Sequence, residues 1–209
     1  MDRTLLLLIF SDILILSSFG LVAPILAIYI KEDLVGGSVV AAGISVTVFW
    51  ITKSILQLPL SRFIDSRRKK TGFLLAGTLV IAIVPFIYMS AKSVFHIYIA
   101  QFIYAIGGAM AYPAWINLFT LHLNPKHRGF EWALWSTGIG IGTGITAFVG
   151  AKLAVLIGFN TVFLIVGIFS LIGMFILIFI DRSYERKMEK EFSILGNFLL
   201  CHKTRHHHR

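Results

Sequence analysis

Charge is scarce in this chain of 209 residues. Asp, Glu, Lys and Arg make up 14% of it, against about 25% in soluble domains, whereas 57% of its side chains are apolar and the mean hydropathy is +0.84. A water-facing surface cannot be assembled from that composition, which excludes a soluble enzyme, a secreted factor and a disordered chain. Cysteine is represented by Cys201 alone, so no internal disulfide forms, and no nucleophile or metal-ligand partner stands at a recognisable spacing. Acidic residues are the scarcer sign, 10 against 19 Lys and Arg. The resulting charge of +9 does not indicate a nucleic-acid partner, because the basic residues fall between long apolar runs and not along one folded face. His-Glu-x-x-His, Gly-x-Ser-x-Gly and a pair of membrane-embedded carboxylates are all missing. Enzyme activity, a metal centre and a cofactor are therefore not expected.

Long apolar runs are what the chain does have. A helix crosses a bilayer core of about 30 Å with roughly 20 apolar residues. Six runs qualify: 4–30, 39–60, 72–90, 94–123, 130–157 and 161–180. The first follows Arg3 but is too long for a signal-peptide core and is read as an uncleaved helix. The fold class is thus an all-α membrane protein, with a six-helix bundle over 1–180 and a basic tail over 181–209. Fifteen of the Lys and Arg residues lie on the side of the termini and of the loops after spans 2 and 4; three, Lys31, Lys92 and Lys152, lie on the other. The positive-inside rule then places both termini in the cytoplasm of a multi-pass cell-membrane protein.

Spans 4, 5 and 6 each begin about 90 residues after spans 1, 2 and 3, and Pro24 and Pro113 stand at matching depths behind small residues. Three spans per copy make the second copy inverted. Inverted repeats whose first helices are broken by Gly and Pro are a recurrent transporter design.

Ionisable groups inside spans are costly, and each is a functional candidate. Asp12 lies roughly 12 Å into span 1, and Lys53 lies roughly 10 to 14 Å into antiparallel span 2, at 1.5 Å per residue. Their common depth predicts that they pair, either as a fixed tie between the helices or as a titrating, substrate-coupled pair. Gln57 stands one turn further along span 2. On span 4, Gln101, Tyr104, Gly108, Tyr112 and Trp115 fall on one stripe about 80° wide at 100° per residue, which suits a wall facing protein or water. Span 5 carries Gly138, Gly140, Gly142 and Gly144, two interleaved small-xxx-small patterns for close helix packing. Trp50, Trp132 and Trp135 read as interfacial anchors where they approach span ends.

Between spans 2 and 3, Ser61-Arg62-Phe63-Ile64-Asp65-Ser66-Arg67-Arg68-Lys69-Lys70 resembles the cytoplasmic signature of the major facilitator superfamily, Gly-x-x-x-Asp-Arg-x-Gly-Arg-Arg/Lys. Asp65, Lys69 and Lys70 match it, while Ser61 and Arg68 replace its glycines and Ser66 its first basic residue. The turn Asn124-Pro125-Lys126-His127-Arg128-Gly129 resembles the family's Pro-x-x-Arg-Gly turn. Over residues 1 to 180 the resemblance implies the amino-terminal six-helix half of a twelve-helix transporter. It implies a small-molecule substrate held by spans 1 and 4, and cytoplasmic gating by Asp65, Lys69, Lys70, Arg128, Gly129 and Glu131. Gln101 stands where many family members have arginine, and 144–151 lacks the proline of the antiporter signature, so export by antiport is not implied. The implied cavity closes only against a second six-helix unit, a second copy or a separate half, and the alternative is a truncated, non-transporting remnant or membrane interaction module. The tail, 192–200, resembles the approach to a seventh helix, and also fits an amphipathic segment on an anionic leaflet.

Overall fold

A computed structural model describes residues 2–67 and 69–180, and the tail read above lies outside the described residues, as does Arg68. Seven helices follow one another: α1 Arg3–Val22, α2 Leu26–Asp33, α3 Val39–Asp65, α4 Lys70–Ser90, α5 Val94–His122, α6 Arg128–Ile157 and α7 Phe159–Ile178. Among the described residues they make six spans long and apolar enough to cross a membrane, α1 and α2 counting together.

Local chemistry sets the ends. Asp2 caps α1 by accepting the Thr4 N–H at 3.3 Å, and Ser38 caps α3 by accepting the Ala41 N–H at 3.0 Å. Pro24, which has no N–H to give, sits in the break between α1 and α2. Pro113 does not repeat that break, and α5 runs unbroken through it, so only one of the two expected interruptions exists. α6 and α7 are joined through Gly158 alone, whose φ of +82° is open to glycine at little cost. α3 runs five residues beyond its expected end, which makes Asp65 its last helical residue.

The packing obeys the predicted symmetry. α1 packs on α6 and α7, while α5 packs on α3 and α4, so the first helix of each repeat docks on the second and third helices of the other. The third helices, α4 and α7, pack on each other. Close approach depends on glycine: a Cβ on Gly77 would sit 2.7 Å from the Gly107 carbonyl oxygen, and one on Gly107 would sit 2.9 Å from that of Gly77. Gly138 and Gly142 meet Ile13 and Ser17 of α1 in the same manner, but Gly140 and Gly144 have nothing within 4 Å. One of the two interleaved glycine patterns therefore packs inside the bundle and the other lies on its outside.

The buried side chains form two clusters, one around Ile25, Tyr29, Tyr88 and Phe163 and one around Leu5, Leu8, Ile64 and Phe119. At the first end, the Tyr29 hydroxyl lies 3.1 Å from the Tyr88 carbonyl oxygen and 3.3 Å from that of Ala91. The adjoining loops are tied there by Val35 N–H to Lys92 O and Val94 N–H to Val35 O, both 3.2 Å. The second end carries the basic loops. Between the clusters the packing opens.

Candidate functional site

The opening is a cavity of about 280 Å³ at mid-span, to which α1, α3, α4, α5, α6 and α7 all contribute. Five aromatic rings line it beside aliphatic side chains such as Ile15, Leu16, Ile81 and Ile139: Phe49 from α3, Tyr104, Tyr112 and Trp115 from α5, and Trp135 from α6. Tyr104 is held between Phe19 and Phe49, with ring centroids 4.8 and 4.5 Å away. Trp115 stacks on Phe119 at 4.5 Å and lies 4.9 Å from Trp135. Rings locked by neighbouring rings make a wall of fixed shape.

Asp12 and Lys53 both line this cavity, as their common depth predicts, but they do not pair. Among the described residues, the only Lys, Arg or His nitrogen within 4.0 Å of a carboxylate oxygen is that of His122, at Asp2. The pairing expected from the sequence is corrected by what each group finds nearer. Asp12 Oδ2 accepts a 2.7 Å hydrogen bond from Trp135 Nε1. Lys53 lays its stem over Gly108, where an added Cβ would lie 3.6 Å from Lys53 Cε. Its ammonium then reaches the ring faces of Tyr112 at 5.1 Å, Trp50 at 5.2 Å and Phe49 at 5.7 Å. An ammonium over several ring faces gains cation–π attraction without a counter-ion.

Four members of the α5 stripe, Tyr104, Gly108, Tyr112 and Trp115, line the cavity. Gln101 does not: it is buried, 5% exposed, further along α5 beside the cluster around Ile97. Gln57 is half-buried on α3, one turn past the cavity. The Trp115 indole nitrogen is buried with no hydrogen-bond partner among the described residues.

At the basic end, Asn117 of α5 gathers two of the signature residues. Its Nδ2 donates to Asp65 Oδ1 at 2.8 Å and to the Pro113 carbonyl at 3.0 Å, while Lys70 Nζ donates to its Oδ1 at 3.0 Å. Lys69 sits at the start of α4, and Arg67 lies over the Phe63 ring at 4.4 Å. Across the bundle, Glu131 is buried, and its Oε2 accepts the Asn124 N–H at 2.8 Å, closing the turn before α6. Arg128 and Gly129 are exposed in the first turn of α6.

Sequence reasoning missed Trp135 as the partner of Asp12. Counting depth finds it, since it lies seven residues into α6 from the same end. It also missed Asn117, an amide inside an apolar helix that a search confined to ionisable groups passes over.

The chain is similar, at 25% identity over 186 residues, to an uncharacterized MFS-type transporter of Methanocaldococcus jannaschii, the match covering 86% of this chain and 47% of that protein. It is 27% identical over 176 residues to multidrug resistance protein 1 of Bacillus subtilis, with 82% of this chain and 43% of that protein covered. The chain thus spans less than half the length of these curated relatives. A family model described as the Major Facilitator Superfamily matches residues 8–201, running past the six spans into the segment read as a tail. The chain belongs to that superfamily, and its six apolar spans make it a multi-pass membrane protein.

Proposed function

We propose that this chain moves a small solute across the cell membrane by alternating access, with its termini in the cytoplasm and a second six-helix unit closing its cavity. The observation that carries the reading is the mid-span cavity, which sets one carboxylate and one ammonium among five aromatic rings. Charged groups at that depth are expensive, and a solute pathway is a reason for keeping them. The rings and Gly108 form the fixed wall, while Asp12 and Lys53 supply the polar contacts. Asp65, Lys70 and Asn117 hold the end of α3 against α5 on the cytoplasmic side, where gating by rigid-body rocking acts.

The second unit is assigned to α3 and α6, the second helices of the two repeats and the two least buried spans. Their outer faces carry small residues, Gly43, Thr47 and Ser54 on α3 and Thr137, Gly140 and Gly144 on α6, all exposed, with the exposed Trp50 and Phe148 among them. Small residues on such faces let another helix's backbone approach. The relatives are more than twice as long as the part of them that this chain covers, which leaves room in them for a second unit of similar size. A second copy or a separately encoded half meets the same requirement.

The test is the mass of the complex taken from its membrane in native lipid, corrected for bound lipid. Two copies of the 23.3 kDa chain, or one copy with a second membrane polypeptide, supports the reading. A lone chain contradicts it and favours a non-transporting module.

A further inference from the structure

Asp12 and Lys53 share one cavity and leave each other unsatisfied. Lys53 Nζ has ring faces for neighbours and no carboxylate within 4.0 Å among the described residues. Asp12 uses Oδ2 for the Trp135 N–H and keeps the capacity of its other oxygen. The cavity therefore presents one cation and one anion. A ligand carrying a single charge meets attraction from one side and repulsion from the other, in surroundings where charge is weakly screened. A ligand with both signs meets attraction from both.

Size and lining narrow the class. At about 280 Å³ the space falls just below the range of about 300 to 1,000 Å³ that holds drug-sized ligands. The rings of Tyr104, Tyr112, Trp115 and Trp135 line it beside aliphatic side chains such as Ile15 and Ile81, and their edges and remaining surface suit an apolar, aromatic body. We propose that the cavity binds a small zwitterion with an aromatic body, its ammonium at Asp12 and its carboxylate at Lys53. This deepens the transporter reading and rests on it for the claim that the occupant is cargo.

Three probes of one shape and different charge test it: phenylalanine, phenethylamine and 3-phenylpropionate. Binding to the full chain in lipid nanodiscs is followed by its tryptophan fluorescence. Phenylalanine is expected to bind about tenfold or more tighter than either singly charged probe, the factor expected of one charged hydrogen bond. Lys53→Met is expected to erase the advantage over phenethylamine, and Asp12→Asn the advantage over 3-phenylpropionate. The proposal is overturned if a singly charged probe matches phenylalanine, if none of the three binds, or if both variants weaken all three probes equally. The wild-type ranking alone decides the matter should a variant fail to fold. Flux of labelled phenylalanine into proteoliposomes is scored separately. The predicted ranking without flux keeps the site and defeats the transporter reading, while flux of phenylalanine without the ranking defeats the zwitterion and keeps the transporter reading.

Discussion

Trp135 Nε1 donates to Asp12 Oδ2 at 2.7 Å, so the one acidic side chain in the cavity is held by α6 and not by the lysine on α3. A hydrogen bond to a charged group contributes about 1.5 to 3 kcal/mol. Trp135→Phe keeps the ring and removes the donor, and Asp12→Asn removes the charge. Combined in a double-mutant cycle read by thermal unfolding, the two changes are expected to couple by at least about 1 kcal/mol. Effects that simply add would contradict a direct bond.

Asn117 holds Asp65 and Lys70 to α5 through two hydrogen bonds and gives a third to the Pro113 carbonyl of its own helix. Asn117→Leu preserves bulk and removes every one of them. Limited trypsin digestion at Arg67 and Lys69 is then expected to run several-fold faster than in the unaltered protein, because the loop loses its anchor. An unchanged rate would show that helix packing alone fixes the loop.

Glycines on α5 and α6 are expected to separate packing within the bundle from packing against the second unit. Gly107→Val drives a side chain into the Gly77 backbone, and overpacking of this kind costs about 1 to 3 kcal/mol or more. It is expected to lower the melting temperature. Gly140→Val meets nothing within 4 Å and is expected to leave melting unchanged while reducing association with the second unit. The reverse pattern, or equal effects at both positions, would contradict the assignment of α6 to an interface.

Six spans, their repeat and the shared depth of Asp12 and Lys53 were all legible in the sequence, because apolar run length and helical rise are one-dimensional quantities. The polar stripe on α5 was legible for the same reason, down to Gly108, over which the Lys53 stem lies. What a charged group touches across the bundle was not. Asp12 meets Trp135 over 123 positions of chain, and only the rotation of α6 about its axis decides that an indole, and not an ammonium, reaches the carboxylate. Helix rotation likewise decided which glycine pattern packs, since Gly138 and Gly140 look equivalent in sequence and face opposite ways. Gln101 fell outside the cavity because a stripe has direction but no length, and the cavity ends before it.

The most direct test of alternating access is the reach of water to the cavity from each side of the membrane. Thr78, buried in the cavity wall on α4, is replaced by cysteine in a Cys201→Ser background and exposed to a membrane-impermeant maleimide in sealed vesicles of either orientation. The account predicts labelling from both sides, with phenylalanine slowing it from each. Labelling confined to one side in both preparations would contradict it, because a cavity that opens to a single side carries nothing across.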